Sequence, residues 1–505
     1  MFVQQGGVLV VQGGSLTGTV EGGSGALYGQ NGDAFGSGLF IQGNQAVTLE
    51  GGAQPLVVAS TIADQDGAWF SLGNLTPDPG TSSAGTTNAA TGTLVIGSGV
   101  VQLGTAGTEN TFAGPIVVDG GAALAITGDG ALGTMNAGNA ALGQNVLTLQ
   151  AGSTLDLNAG FTLDHGIVVS GDPTFDVPLG AVDSIDTTIS GGGNVVLSGG
   201  GTLVLQAANS YSGGSTLTAG STLKLDGTYS AGSGTIQIDD ASVLQSPSSG
   251  PTFGFPYPTV IAAPIAGFDG VLDCVGLPYT SAAISGSNDG VFYVTTGAGG
   301  MFFAEAAGFP TNGPFVLAPD TQGNTEVLTQ TMTVSDDLGL NAAIREIDLA
   351  TQGLAASAHA SASFTIDLAN SITLTNALTS DLTGVVLGNG STLTIAGNGY
   401  TLDGGGIDRG LFAYQGVLNV DSLTIADAHA VGGAGGSGQS GGGGGAGVGG
   451  GLFVGASADV SLSGVSFASD AATGGAGGNY TAPPAAWPSA APAGAAVWAV
   501  PAATA

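Results

Sequence analysis

The residues that could carry chemistry in this chain are a few carboxylates that lie beside its scarce basic residues. Asp164 directly precedes His165, Asp239 and Asp240 are adjacent, and Asp403 and Asp408 lie close to Arg409. Paired carboxylates with a neighbouring base could perform hydrolysis or elimination by general acid–base catalysis. A turn position explains each pair as well, and we expect Asp164 and His165 to face solvent in a turn.

Other kinds of site lack the residues that they require. His359 and His429 have no Gly-Asp-Ser-Gly-type loop beside them, so a serine-protease triad is not indicated. The loop 432–451 lacks the Lys and Thr of a phosphate-binding loop, and no array of the calcium-binding nonapeptide occurs. Cys274 is the only cysteine, and its apolar neighbours predict a buried structural residue. We therefore assign no catalytic, cofactor-binding or metal-binding residue and predict that the protein is not an enzyme.

The charge and hydropathy of the chain limit the kinds of partner that we expect. Three basic residues stand against 36 acidic ones, which gives a formal net charge of −33. Nucleic acid is a poor partner for such a surface, because binding to the phosphate backbone depends on clustered Lys and Arg. No run of about 20 apolar residues occurs, so we predict no membrane insertion by this chain.

The elements that must position any site are very short strands. Apolar triplets recur between Gly, Ser, Thr and Asn, each too short for a helix: 94–96, 116–118, 124–126, 147–149, 155–157, 167–169, 195–197, 203–205, 223–225 and 236–238. We expect the outer two residues of a triplet to face a core and the middle ones, such as Val204, Lys224 and Asp156, to face solvent. Stacked coils built from such strands would form one continuous core.

The stretch 191–226 carries the most specific motif. It contains the order Gly-Thr-Leu-Val-Leu, then Asn-Ser-Tyr-Ser-Gly-Gly-Ser-Thr-Leu, with Tyr211 and the Gly213-Gly214 pair. This order resembles the autotransporter-associated β-strand repeat of bacterial passenger domains. A second stretch, about 350–478, resembles adhesin-like passengers. The resemblance implies an all-β fold, a right-handed parallel β-helix in two segments with a β-rich insert and one short helix.

Changes of pattern along the chain divide it into five parts. We predict β-helix repeats in 1–245, a β-rich insert or linker in 246–335, a short helix and connection in 336–360, a second β-helix segment in 361–478 and a disordered Pro/Ala-rich tail in 479–505. The Gly-rich loop 432–451 is expected to be a flexible excursion. In the helix, Ser335 would be the N-cap, the residues Leu340, Ile344 and Ile347 would share one face, and Gly353 would end it.

The resemblance also implies a function. We expect a noncatalytic adhesin or surface scaffold, on the bacterial cell surface or secreted, whose partner is a host, matrix or cell-surface ligand. The chain reads as a fragment without the signal peptide and translocator barrel of a complete autotransporter. The alternative is a carbohydrate-active β-helix enzyme, a polysaccharide lyase or hydrolase, because Asp239-Asp240 and Asp164-His165-Gly166 resemble parts of a pectin-hydrolase pattern. The Arg-x-Lys element of that pattern is absent.

Overall fold

The computed structural model describes most of the 505 residues. The described part omits 25–33, 65–91, 106, 134–144, 159, 228–229, 248–258, 280–282, 287–290, 297–298, 306–314, 357–360, 376–382, 389, 439–440 and 480–505. The predictions for His359 and for nearly all of the tail fall outside it.

Parallel strands from successive passes of the chain build the sheets of the N-terminal half. Sheet A contains Phe2–Val3, Leu39–Ile41 and Ile62–Asp64. Sheet B contains Leu9–Gln12, Ala46–Glu50, Thr93–Ser98, Ile116–Val118, Leu147–Leu149, Ile167–Val169 and Ile189–Gly191. Sheet C contains Gly14–Leu16, Leu56–Val58, Val100–Leu103, Ala123–Ile126, Thr154–Leu157, Thr174–Asp176, Asn194–Ser198, Gly214–Leu217, Ile236–Ile238 and Thr259–Phe268, followed by Gly299–Glu305, Val291–Thr296 and Ala283–Gly286.

Four further sheets complete the described part. Sheet D contains Thr162–Leu163, Val182–Ile185, Thr202–Leu205, Thr222–Leu225, Val243–Gln245, Val271–Pro278, Asn324–Thr329 and Phe315–Pro319. Sheet E contains Thr331–Val334, Ser363–Leu368, Thr392–Ala396 and Leu411–Asp421, and the last of these also pairs with Val385–Val386 and Leu452–Ser463. Sheet F contains Ile372–Thr373, Thr401–Asp403, Thr424–Ala426 and Ser466–Ala468, and sheet G contains His429–Val431 and Ala471–Thr473.

Strands that pair are separated by a whole pass of the chain. Leu147 pairs with Ile167, and Ile167 pairs with Ile189, so these partners lie 20 and 22 residues apart. The same passes supply strands to sheets B, C and D in turn, which places equivalent apolar residues above one another. The predicted triplets are confirmed as strands, and the protein is mostly β with parallel sheets.

Side chains alternate between the core and the outer face, as the triplets predict. Leu203, Leu205 and Leu155 are buried, and Asp156 is only partly buried. The prediction was wrong for Val204, which is 6% exposed although it is a middle residue. Helix α1 (Asp337–Ala356) packs on the outer face of sheet D. The alternation alone predicts that this face is exposed to solvent, but the helix covers it.

Helix α1 begins and ends differently from its prediction. The Asp336 carboxylate accepts a hydrogen bond from the Gly339 N–H at 2.8 Å, so Asp336 is the N-cap, and Ser335 instead bonds the Asp240 side chain. The helix continues through Gly353 to Ala356. The predicted apolar face is confirmed, since Leu340, Ile344 and Ile347 are all buried.

The stretch 246–335 extends sheets C and D before it departs from them. Val271–Pro278 pairs in parallel with Val243–Gln245 on one edge and antiparallel with Asn324–Thr329 on the other. Both faces of these strands are covered. Leu272 and Cys274 face the buried core enclosed by sheets A to D, which we call the first stack. Val271 and Leu328 face helix α1. Cys274 is therefore buried, as predicted.

Candidate functional site

His165 lies at the centre of a buried hydrogen-bonded group. Its Nδ1–H donates to Asp129 Oδ1 at 2.6 Å, and the Asn145 Nδ2–H donates to its Nε2 at 3.0 Å. The Asp129 carboxylate can only accept, which assigns the proton to Nδ1. His165 is 1% exposed, so the prediction that it faces solvent was wrong. Asp129 and Asn145, 36 and 20 residues earlier in the chain, contact it, and the local pattern does not reveal them.

Asp164 is exposed, as predicted, but it is not isolated. Its carboxyl group forms a hydrogen bond with that of Asp186, and its N–H donates to Asp129 Oδ1 at 2.9 Å. Desolvation and then the hydrogen bond and charge of Asp186 raise the pKa of Asp164. Burial acts to raise the pKa of Asp129, but the hydrogen bond from the His165 ring and those from the Asp164 and His165 N–H groups outweigh it, and the pKa is lowered. Asp129 is therefore held ionised beside a carboxyl pair that retains a proton more readily.

An open cleft of about 590 Å³ lies beside Asp129. Its walls are the turns that follow two paired strands of sheet C, Val100–Leu103 and Ala123–Ile126. The lining carries two carboxylates, several hydroxyl groups and many glycines: Thr105, Gly107, Thr108, Glu109, Asn110, Thr111, Thr127, Gly128, Asp129, Gly130, Ala131 and Gly133. No basic or aromatic side chain is among these residues. The cleft is therefore polar and anionic, and it suits an uncharged polyhydroxylated or a cationic ligand better than an anion.

The two walls of the cleft are joined by Asn110. Its N–H donates to Gly130 O at 2.9 Å, and its Nδ2 donates to Ala131 O at 2.6 Å. A Cβ at Gly130 would lie 2.1 Å from Glu109 Oε2, so the glycine leaves room for this exposed carboxylate beside the turn. Glu109 and Asp129 thus lie on neighbouring turns, with His165 behind Asp129.

Four residues at or beside the cleft were not predicted from the sequence: Glu109, Asp129, Asn110 and Asn145. One signal could have found the turn at Asn110: an Asn followed two residues later by an aromatic residue, as in the motif around Tyr211. The other residues carry no such signal. Asp129 and Asn145 meet His165 only through the stacking of passes, 36 and 20 residues away in sequence.

The remaining candidates have structural roles. Asp240 accepts hydrogen bonds from Ser335, and Asp403 accepts one from the Gly405 N–H within its own turn. His429 contacts the Gly406 carbonyl at 3.1 Å and Thr473 Oγ1 at 2.8 Å. The Arg409 guanidinium lies over the Phe412 ring. None of these residues joins the group around His165.

The described parts of the Gly-rich loop, which exclude 439–440, form regular backbone hydrogen bonds, and this does not fit the prediction of a flexible excursion. Three extended segments, 432–438, 441–448 and 473–479, are joined by backbone hydrogen bonds at every third residue; we call them the glycine bundle. The donor and acceptor pairs are Gly432–Thr473, Gly435–Ala476, Gly438–Asn479, Gly442–Gly436, Gly445–Gly433, Gly475–Gly445 and Gly478–Gly442. Each segment donates to one neighbour and accepts from the other. A period of three is typical of extended left-handed chains, which have three residues per turn.

The glycine bundle requires glycine at the positions that face a neighbouring segment. A Cβ at Gly435 would lie 2.1 Å from Gly442 O, and one at Gly444 would lie 1.8 Å from Gly475 O. Side chains fit only at positions that point outward, such as Ala434 and Ser437, and both are exposed. Ser437 therefore lies on an ordered surface away from any His or Asp of the site.

Within the described ranges, no group of three or more His, Cys, Asp and Glu side chains is arranged to hold a metal ion. No helix in the same part of the chain has the length and apolar character to span a membrane. Comparison with known proteins finds no matching family model, curated protein or solved structure.

Proposed function

We propose that this chain is a noncatalytic passenger of the autotransporter type, a right-handed parallel β-helix that acts as an adhesin or surface scaffold. The observation that supports it is the in-register stacking of whole passes. In sheet D, Leu203 pairs with Leu223 and Leu223 with Leu244, each one pass further along the chain. Such stacking produces a rod whose length grows with the number of passes, and display away from a surface uses that length.

The chemistry of the surface is consistent with this role. The net charge of −33 keeps a secreted rod soluble and disfavours contact with anionic membranes and nucleic acids. Partners of the rod would be host, matrix or cell-surface ligands, and its location would be the bacterial surface or the medium.

The test combines location and binding. In cells that express the chain at its natural level, an antibody against it should label intact cells or the culture medium, and protease added outside should remove the label. The purified chain should bind immobilised matrix proteins or host-cell glycans saturably, and the heat-unfolded chain should not. A chain found only inside intact cells and protected from protease would contradict the proposal.

A second candidate function, carbohydrate-active catalysis, has one specific observation in its favour. Glu109 and Asp129 share a cleft, and His165 holds Asp129 ionised. Both ring nitrogens of His165 are hydrogen-bonded, so it would position Asp129 rather than act as a base. Asp129 and Glu109 would then be the acid–base pair.

This candidate is tested by assaying release of reducing ends or unsaturated products from a panel of polysaccharides. Catalysis at the cleft predicts that Glu109→Gln and Asp129→Asn each lower the rate by about 100-fold or more. Asp172→Asn, at an exposed carboxylate outside the cleft, should leave the rate unchanged. No product from any polysaccharide, or activity that survives both cleft variants, would remove the second candidate.

A further inference from the structure

Two carboxyl groups are buried on directly opposite residues of neighbouring strands beneath helix α1. Asp273 and Glu326 are directly opposite residues of the antiparallel strands Val271–Pro278 and Asn324–Thr329, so their side chains point to the same face. They are 3% and 7% exposed. Asp273 Oδ1 and Glu326 Oε2 are both buried without a hydrogen-bond partner among the described residues.

The charged groups around this pair do not neutralise it. Helix α1 contributes Glu346 and Arg345, but these form an ion pair with each other at 2.9 Å. The turn after Phe315–Pro319 contributes Asp320, and the row of sheet D on the other side contributes Lys224. Between Lys224 and the pair lies Gln245, whose Nε2–H donates to Asp273 Oδ2 at 2.7 Å. Glu346 is already paired with Arg345, Asp320 is a further acid, and Lys224 is separated from the pair by Gln245, so no base lies directly against the two carboxyl groups.

Two ionised carboxylates in this position would repel each other and lose hydration without compensation. A single proton removes the problem, because a protonated carboxyl group donates a hydrogen bond that the facing carboxylate accepts. The unpartnered oxygens on both residues are the atoms left for such a bond.

The pair lies within the apolar contact that holds the helix. Val271 and Leu328, also directly opposite each other, lie on the same face and pack with Ile344 and Ile347 of helix α1. This contact belongs to a buried cluster that includes Met332 and Phe364 of sheet E, which begins the C-terminal stack. Repulsion at the pair would therefore act on the junction between the two stacks.

We propose that Asp273 and Glu326 form a proton-operated latch: the pair with one bound proton holds helix α1 on sheet D, and loss of that proton loosens the helix. The pKa values of both carboxyl groups are raised, which agrees with a proton bound to the pair. Burial and then nearby acids, Glu346 first, raise the pKa of Glu326 to about 9. Burial raises the pKa of Asp273 to about 6, and the hydrogen bond from Gln245 opposes this rise.

The direction of the pH dependence follows from the numbers of protons that the docked and undocked states bind. Between the usual pKa of Glu326 near 4.5 and its raised value near 9, the docked state holds a proton that the undocked state releases. Docking is therefore strongest below about pH 4.5, weakens steadily as the pH rises, and is weakest above about pH 9. Asp348, on the same helix, has its pKa raised to about 7 by burial and contributes in the same direction, so it needs its own control.

The test is hydrogen exchange of the helix α1 amides in the full chain, compared between variants at one pH so that intrinsic exchange cancels. Glu326→Gln imitates the protonated acid. At pH 8.5 it should slow exchange of the helix by about tenfold or more relative to the natural chain, and at pH 4.5 the two should agree. Asp348→Asn combined with Glu326→Gln should keep this added protection relative to Asp348→Asn alone.

The same experiment can also contradict the latch. Equal exchange of the natural chain and Glu326→Gln at pH 8.5 would overturn the latch, as would added protection of the same size at pH 4.5. Circular dichroism at pH 4.5 checks that the variant is folded. If it is not, Asp273→Asn, which retains an acceptor for Gln245, should give the same pH-dependent protection, and its failure to do so would also overturn the latch.

Discussion

Asn110 and Asn209 make the same two backbone hydrogen bonds in two different passes of the chain. Each accepts from a strand N–H in the preceding pass at 2.7 Å and donates to a carbonyl in the following pass at 2.6 Å, the partners being Ile62 and Ala131 for Asn110, and Ile189 and Ser230 for Asn209. Each is followed two residues later by a buried aromatic ring, Phe112 or Tyr211. The asparagine therefore joins three successive passes at one corner of the stack.

This relationship predicts the effect of removing one asparagine. Asn209→Ala leaves the buried Ile189 N–H and Ser230 carbonyl unpaired, so the free energy of unfolding should fall by about 1–3 kcal/mol. Asn158→Ala, at an exposed asparagine, should change it by less than about 0.5 kcal/mol. Urea unfolding of the two variants and the natural chain measures both values. Equal effects would show that the corner does not depend on the buried hydrogen bonds.

The packing of sheet D predicts a graded series of truncations. Leu205→Ala opens the interior and should destabilise by about 2–5 kcal/mol. Val204→Ala should cost about 1–2 kcal/mol, because Val204 is buried on the outer face. Val182→Ala is the matched control, since Val182 is 55% exposed in the neighbouring strand, and it should cost less than about 0.5 kcal/mol. Thermal unfolding of the three variants gives the order, and equal costs at Val204 and Val182 would contradict the burial of Val204.

The glycine bundle predicts that neighbouring glycines respond differently to the same substitution. Gly444→Ala places a Cβ against the Gly475 carbonyl and should separate the segments, whereas Gly443→Ala meets no atom within 4 Å and should be tolerated. Exchange of the Gly475 and Gly478 amides, both hydrogen-bonded within the bundle, reports the difference by NMR. We expect these amides to lose protection in Gly444→Ala only. Free exchange of both in the natural chain would restore the interpretation as a flexible loop.

The burial of Asp348 predicts a second pH dependence of stability, separate from that of the latch. Its carboxylate accepts from the Val386 N–H, and burial raises its pKa to about 7 despite that bond. The folded state therefore keeps a proton that the unfolded state loses between about pH 4 and 7, and stability should fall as the pH rises through this range. Asp348→Asn, which keeps an acceptor oxygen, should raise the melting temperature at pH 8 and leave it unchanged at pH 3.5. A lower melting temperature at pH 8 would show that the charged form stabilises the fold.

Much of the local structure could be predicted from the chain because it depends on short-range rules. A triplet such as Leu203-Val204-Leu205 predicts a short strand with two inward side chains, since alternation is a property of the backbone. The apolar face of helix α1 follows from spacing in the same way. The resemblance of 191–226 to a passenger repeat stays a prediction, because no comparison tests it.

The candidate site could not be predicted because its parts come from different passes. His165 looks like a surface residue beside Asp164, and only the neighbouring passes that supply Asp129 and Asn145 make it buried. The N-cap of helix α1 is Asp336 and not the predicted Ser335 for a similar reason. The side chain of Asp240, far away in sequence, binds Ser335.

The sequence by itself determined the short strands, the inward alternation, the acidic surface and the buried setting of Cys274, because each depends on neighbouring residues or on composition. Only the tertiary structure decided which passes stack on which, and with them the cleft between Glu109 and Asp129, the opposition of Asp273 and Glu326, and the order of the glycine bundle. Hydrogen bonds and charges act over a few ångströms whatever the separation along the chain. Glu109 and Asp129 are 20 residues apart and Asp273 and Glu326 are 53 apart, so a local sequence pattern does not bring either pair together.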